Sequence, residues 1–522
     1  MRGGVQERYT RVCALSANKA AGPRSHVIRF AQSAPLAPHT YPGIHTLPKD
    51  DTALPPEATG CKLKAMTLPP KAARKQAELA VPLIRQLEEA VSQGHPADRT
   101  LRRYYREHSE FGSRDRRFFS ALVFSWFRWR GWLAPSEPAR CVFAYLLDAR
   151  EPHPTVTLLA EQSGLNRLNP QPAGGLTVEE KAKQAGHWLG TPPPAIEQLV
   201  PAWLPAQLCV PNDTEPGTHR LQCIKAFQIR PPTWIRTERD ARERVCAALA
   251  RHAIPAAAHP QIAGAIRLQG APDLERLSTE VPFEIQDLAS QCVGWICAPA
   301  RGEHWWDVCA GAGGKSLHLA DLMEQQGAIL ATDVRSGSLN ALRKCARGRR
   351  RNLIACRAWD GTQDPAPGRC FDGVLIDAPC SGIGTWARNP DARWRTVERD
   401  IAQRRSVQQQ LLLASADKVR PGGRLVYAVC TLTEAETHAV ITGFLGARSD
   451  FQLEPTPHPL TGQPAPGQVW IWPWESDSNG MFIARMKRAA GSQLFHTSTI
   501  VEMTKTITRA SRAWPAPIPQ AC

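Results

Sequence analysis

The chain has no uninterrupted apolar run near the roughly 18 residues that a membrane-crossing helix needs, so a helical integral membrane protein is not expected. None of its 15 cysteines forms a C-x-x-C pair, and their number is odd, which argues against a zinc ribbon and a disulfide framework, and no metal is expected. Thiols scattered over 522 residues fit a reducing, cytoplasmic compartment in which most are small buried hydrophobes. Acids are scarce at the start: the first 48 residues hold only Glu7 against Arg2, Arg8, Arg11, Lys19, Arg24 and Arg29. No apolar h-region there supports secretion. Residues 1–65 mix Pro, Ser, Ala and Arg without periodicity. They are expected to be a disordered extension, a transit segment, or the product of a mis-assigned start ahead of Met66. Residues 489–522 are expected to be a disordered tail.

What is present suits a globular protein. Apolar residues make up 43% of the chain and charged residues 21%, which excludes wholesale disorder, and the length allows two to four domains. Lys plus Arg number 64 against 48 Asp plus Glu, a formal net charge of +16. Such an excess points to a polyanionic partner, nucleic acid ahead of an anionic membrane surface.

Three patterns follow one another. Residues 66–200 read as helical, with Leu79, Leu83, Leu87 and Ala90 at helix spacing and a second helix through Phe118, Leu122, Phe127 and Trp132. Around the second lie Arg102, Arg103, Arg106, Arg114, Arg116, Arg117, Arg128 and Arg130, interleaved with Tyr104, Tyr105 and Trp126. That mixture suits phosphate contacts with base stacking, or a solvated face over core aromatics; the second reading is favoured. Pro192, Pro193 and Pro194 are expected to close a helix at a boundary. Residues 222–282 read as a small α+β module of strand, helix and strand. From 283 to 488 apolar strands alternate with amphipathic helices, as in a βαβ series with a mostly parallel sheet. Strands are expected at 304–308, 328–333, 353–358, 371–377 and 424–430, and helices at 315–325, 336–347, 397–419 and 434–446. Pro421, Gly422 and Gly423 are expected to turn the third of these helices into the next strand.

The chemistry concentrates at the strand ends of this last region. DVCAGAGGKS (307–316) sits where a strand ends and a helix begins, so that Gly311, Gly313 and Gly314 let a ligand approach the helix N-terminus. The turn fits NAD, FAD or S-adenosylmethionine alike, and its spacing is not that of a P-loop. Asp333, ending the next strand, is suited to ribose hydroxyls, and Asp360, after the third, to the adenine edge. The fourth strand ends in IDAPCSGIGTW (376–386) and the fifth in VYAVCTLT (426–433). In a doubly wound sheet both ends open onto the crevice beside the glycine turn, so Cys380 and Cys430 should converge there with Asp377 beside them. Arg343, Lys344, Arg347, Arg349, Arg350 and Arg351 could grip phosphates or be an exposed helix end. His304, His318 and His438 read as surface or packing residues, and the tryptophans at 470, 472 and 474 as core.

DVCAGAGGK, Asp333, Asp360, DAPCSGIGTW with NPDARW (389–394), and the cysteine of VYAVCTLT together resemble the Sun-type RNA (cytosine-5) methyltransferases, in particular their bacterial 16S ribosomal RNA methyltransferase B branch. The ordered match spans about 283–488, with FEIQDLASQ (283–291) similar to the family's lead-in and NGMFIARMKR (479–488) to its closing strand. Residues 66–200 resemble more weakly the family's NusB-like RNA-binding domain, and PPTWIR (231–236) the start of the module between. The resemblance implies an α/β, Rossmann-like methyltransferase sheet using S-adenosyl-L-methionine, held by Cys309, Ala310, Gly311, Ala312, Gly313, Gly314, Lys315, Asp333, Asp360 and Asp377. It assigns the attack on cytosine C6 to Cys430 and assistance in release to Cys380, with Asp377 on the base edge and Lys315 as a nearby cation. RNA, ribosomal by the same token, is the implied partner of a monomer that needs no membrane. The chain departs from the family pattern at Ala312, usually Pro, at Val429, usually Thr, and at Asn479, usually acidic. None of these removes a catalytic group.

The nearest enzymatic alternative is the same chemistry on transfer RNA. A catalytically silent RNA-binding or ribosome-assembly factor would not need both cysteines with Asp377 and the glycine turn. A nicotinamide oxidoreductase leaves the cysteines unexplained, and a DNA cytosine methyltransferase would not need Cys430.

Overall fold

The computed structural model describes residues 68–211, 215–270, 272–348 and 351–491, with only the backbone of Arg239. The expected extension 1–65, all but three residues of the expected tail 489–522, and Arg349 and Arg350 lie outside these.

The first helices are α1 (Pro70–Ser92), α2 (Ala97–Glu107), α3 (Ser113–Leu133), α4 (Pro138–Asp148), α5 (Pro154–Gln162) and α6 (Val178–Leu189). Proline in the first turn of α1, α4 and α5 presets the helical φ where no backbone donor is needed. Helix α3 is apolar around most of its circumference and buries Phe118, Phe119, Trp126, Phe127 and Trp129, which marks it as the central helix of this region. Each such side chain contributes about 1.5–3 kcal/mol by leaving water. The interleaved aromatics Tyr104 and Trp126 are therefore core, and Arg128 is buried with them; a basic–aromatic alternation looks the same whether the rings face a base or the interior. Helix α6 opens with a reciprocal Thr177–Glu180 cap and stops at Gly190, whose φ of 66° ends it before the three prolines are reached. Helical structure also continues past residue 200 into α7 (Pro216–Ala226), so position 222 is inside a helix rather than at a boundary.

Next comes a four-stranded antiparallel sheet made of β1 (Thr233–Arg236), β2 (Ala256–Ala258), β3 (Ala265–Leu268) and β4 (Glu284–Ile285), in the order β2-β3-β1-β4, with α8 (Arg242–Arg251) packed on it. Its fourth strand is drawn from the expected lead-in of the third region, because Ile235 pairs with Ile285.

The third region contains α9 (Leu288–Cys297), β5 (His304–Asp307), α10 (Gly314–Leu322), β6 (Ala328–Asp333), α11 (Ser336–Gly348), β7 (Ile354–Ala358), β8 (Phe371–Asp377), α12 (Glu398–Ala416), β9 (Val419–Val429), α13 (His438–Ala447), β10 (Phe451–Leu453), β11 (Gln468–Ile471) and β12 (Met481–Arg488). Its sheet runs β10-β12-β9-β8-β5-β6-β7, with β11 on β12. Strands β5 to β9 are parallel, and β12 is antiparallel to β9. Strand β8 is buried on both faces at Val374, Leu375 and Ile376, as expected of a parallel strand covered by helices. The strand order reverses at β5, which has β6 on one side and β8 on the other, so the crevice lies at the carboxyl ends of β5, β6, β8 and β9.

Pro421, Gly422 and Gly423 do not turn a helix into a strand. They form an irregularity within β9, between the pairs Phe371–Val419 and Gly373–Arg424. A side chain at Gly423 would meet the Arg420 and Asp372 carbonyls at 2.9 and 3.0 Å. Trp470, Trp472 and Trp474 stack in series, with centroids 4.8 and 5.1 Å apart, and His219 of α7 meets the last two edge-on. A single apolar cluster joins α1–α7 to Ile383, Trp386, Ile401, Leu432 and Trp472 of the third region.

Candidate active site

The glycine turn links β5 to α10. Gly311 and Gly313 have φ of 57° and 92°, a region that side chains rarely enter. A Cβ on Gly313 would lie 2.1 Å from Leu342 Cδ1, so glycine there lets α11 close onto the turn. Gly311 and Gly314 instead have open flanks: a Cβ on either would meet nothing nearer than 3.5 Å. With Ala312 exposed, these flanks leave room for a ligand against the start of α10. Ala310 is buried, and its N–H donates to the Thr332 carbonyl at 2.8 Å. Cys309 is half-buried, and burial, reinforced by Asp333 and Asp307, pushes its thiol well above the usual range.

Asp333 faces this turn. Gly311 N–H donates to Oδ2 at 2.9 Å, and Arg335 donates through its backbone N–H at 2.8 Å and its guanidinium at 3.0 Å. Burial opposes the charge, but these hydrogen bonds outweigh it and hold the Asp333 pKa below the usual value. Asp360 is exposed and turned onto its own loop, where it accepts from Thr362 N–H at 3.0 Å and Thr362 Oγ1 at 2.6 Å.

The two cysteines do meet. Strands β8 and β9 are parallel neighbours with Asp377 opposite Ala428, so their following residues leave the sheet side by side. Cys380 Sγ and Cys430 Sγ are 3.4 Å apart, well beyond the ~2.05 Å of an S–S bond, and both residues are half-buried. Lys315, in the first turn of α10, donates from Nζ to Asp377 Oδ2 at 2.6 Å and so joins the glycine turn to the cysteine edge. Burial disfavours the Lys315 charge, but Asp377, with Cys430 and Asp307, outweighs it and raises the pKa above the ordinary lysine value.

Several residues of this edge escape a reading by pattern. Asp307, at the end of β5, is fully buried; Oδ2 accepts from Ser316 Oγ at 2.5 Å, and Oδ1 has no hydrogen-bond partner among the described residues. Burial, aided by Asp377 and Asp333, pushes its pKa up to about 7. Glu436, also fully buried, sits among Thr431, Thr433 and Ser381. Its only signal in the sequence is an acid just after a cysteine-bearing strand end. Gly384 N–H donates to the Cys430 carbonyl at 3.0 Å, and Gly480 N–H donates to the Gly384 carbonyl at 2.8 Å, so the segment after Asn479 braces the cysteine loops through backbone alone.

Helices from the first region hold the NPDARW segment. Arg393 is fully buried and donates to the carbonyls of Leu199 and Phe227 at 3.0 Å and to Gln228 Oε1 at 3.1 Å. Arg128 donates to the Ala387 carbonyl at 3.0 Å and pairs with Asp148. Arg351, from the expected basic grip, is also structural: it is buried against Glu238 and Asp321. Arg343 donates to the Cys356 carbonyl at 3.0 Å. His318 is buried, and His304 and His438 are exposed. No metal-binding group of three or more His, Cys, Asp or Glu occurs among the described residues, and no helix there is long and apolar enough to cross a membrane.

Residues 295–487 match the family model described as 16S rRNA methyltransferase RsmB/F. This segment is similar to the RsmB/F methyltransferases. A Synechocystis protein named "Probable ribosomal RNA small subunit methyltransferase B" is 40% identical over 215 residues, covering 40% of this chain and 48% of that one. Ribosomal RNA small subunit methyltransferase B of Erwinia tasmaniensis is 31% identical over 276 residues, 51% of this chain and 62% of that one. The chain thus spans about half to under two thirds of these relatives. The solved structure described as the crystal structure of PH0851 superimposes with a TM-score of 0.60 at 22% identity, covering 81% of this chain and all of that one. It shares the fold. Within the RsmB/F segment lie the glycine turn, Lys315, Asp333, Asp360, Asp377 and both converging cysteines.

Proposed function

We propose that this chain is an S-adenosyl-L-methionine-dependent methyltransferase that acts on C5 of a cytosine in RNA, ribosomal by analogy with its named relatives. The observation that carries the reading is the 3.4 Å approach of the Cys380 and Cys430 sulfurs beside the Lys315–Asp377 pair. A lone buried cysteine is ordinary packing; two half-buried ones at the carboxyl ends of adjacent parallel strands are placed for one substrate ring. The open flanks of Gly311 and Gly314, with Asp333 fixed against the turn, suit a nucleoside cofactor. Gly311 through Lys315, with Cys309, Ala310 and Asp333, would line its site, and Asp360 would approach its outer edge. When bound, S-adenosylmethionine supplies an electrophilic methyl group.

Cytosine C5 is too weak a nucleophile to take that methyl unaided. In the proposed reaction the Cys430 thiolate bonds to C6, and the displaced C5=C6 electron pair makes C5 nucleophilic. Lys315, close enough to Cys430 to share its field, favours the thiolate. Asp377, whose Oδ2 is held by Lys315, presents its carboxylate to the N3/N4 edge and stabilises the ring as charge develops. Once C5 carries the methyl group, the Cys380 sulfur, as a thiolate, takes the C5 proton and becomes a thiol. The C5–H electrons re-form C5=C6, the S–C6 bond breaks, and its electron pair returns to Cys430.

Bisulfite sequencing of RNA with and without the protein tests this directly. One protected cytosine should appear with the wild-type chain and disappear with Cys430→Ala, a loss of at least about a thousandfold in rate, while cofactor affinity is kept. Undiminished methylation by Cys430→Ala would refute the assignment.

A further inference from the structure

Both cysteines sit on loops that leave the sheet, and a sulfur–sulfur approach needs something to fix those loops against each other. We propose that Glu436 is the positioning residue that does so, acting on the two sulfurs through the residues that follow them. The proposal rests on the two-sulfur reading above and adds to it the group that sets their separation.

The Glu436 carboxylate is fully buried and accepts from both loops at once. Oε1 takes the backbone N–H of Ser381 at 2.8 Å and the Gln408 side chain of α12 at 3.1 Å. Oε2 takes Ser381 Oγ at 2.5 Å, Thr431 Oγ1 at 3.1 Å and Thr433 Oγ1 at 3.0 Å. Ser381 follows Cys380 and Thr431 follows Cys430, and their hydroxyls are themselves 2.7 Å apart. Gln408 also donates to the Pro379 carbonyl at 3.0 Å, so the residues on either side of Cys380 are tied to the same network. The backbone of Glu436 is anchored as well, since its carbonyl accepts from Tyr427 OH at 2.7 Å.

Five donors converge on one carboxylate in a water-poor site, an arrangement that is costly if the acceptor is lost. A glutamine can largely replace it. Its oxygen can take the two N–H donors, while its amide donates to hydroxyls that turn to accept. An alanine cannot.

Adduct formation in the Cys380→Ala background separates this role from general folding. That variant, unable to assist release, should accumulate a covalent protein–RNA species on denaturing gels. Adding Glu436→Ala should slow adduct formation at least tenfold while S-adenosylmethionine and RNA affinities stay within about twofold. Adding Glu436→Gln should restore the rate to within about threefold. Thr431→Val, which removes one tie without changing shape, should slow it by a few fold and covers the case in which Glu436→Ala does not fold. Equal adduct rates with Glu436→Ala or with Thr431→Val would overturn the role of Glu436 and leave the two-sulfur reading standing. No adduct from Cys380→Ala alone would overturn that reading and this inference with it.

Discussion

The two halves of the crevice are built by different means. At the β5–β6 edge, backbone does most of the work: two glycines in the left-handed region, a helix N-terminus, and an Asp333 side chain that answers a Gly311 N–H. At the β8–β9 edge, side chains do most of it, with Lys315 on Asp377 and five donors, four of them side chains, on Glu436 holding two cysteine loops together. A backbone cradle suits a ligand whose shape must be accommodated. A side-chain lattice suits reacting atoms whose separation must be kept within tenths of an ångström.

The contrast can be broken first at the glycine edge. Gly313→Val places a β-branched residue at φ 92° and its Cβ 2.1 Å from Leu342 Cδ1. It should cost about 3 kcal/mol in urea unfolding and weaken S-adenosylmethionine binding at least tenfold by calorimetry. A variant with native stability and affinity would show that the turn is not shaped by glycine.

A smaller effect sharpens the comparison where the halves meet, at Asp307. Its folded pKa, pushed up to about 7, lies above the ~3.9 of an exposed aspartate. The folded state therefore holds a proton that the unfolded state has released, so Asp307 lowers stability as pH rises from about 4 to about 7, and no further above that. Asp307→Asn, nearly isosteric and uncharged, should flatten this part of the profile and raise Tm at pH 8 more than at pH 5. Equal shifts at both pH values would mean that Asp307 is charged throughout.

Much of this edge chemistry was legible beforehand because it follows strand periodicity. The strand ending in Asp333 lies at 328–333 as expected, and Cys380 and Cys430 follow adjacent strands whose alternation with helices reveals a parallel sheet. Other features were not legible. The donors to Glu436 come from positions 381, 408, 431 and 433, and no local pattern announces a partnership spread over some fifty residues. Arg351 and Arg128 read as phosphate ligands or as solvated residues, and both are buried, because a buried, satisfied arginine has the same letter as an exposed one. The expected boundaries also blurred, since α7 passes through position 222 and the strand at 284–285 pairs backwards with β1. The Pro-Gly-Gly stretch looked like a turn, and only the register between β8 and β9 shows it as a bulge.

The identity of the sulfur that bonds to the base decides the mechanism. The most direct measurement is mass spectrometry of the nuclease- and protease-digested species formed by Cys380→Ala with RNA and S-adenosylmethionine. A peptide carrying a methylated cytidine on Cys430 is the expected result. A nucleotide attached to any other residue would contradict it.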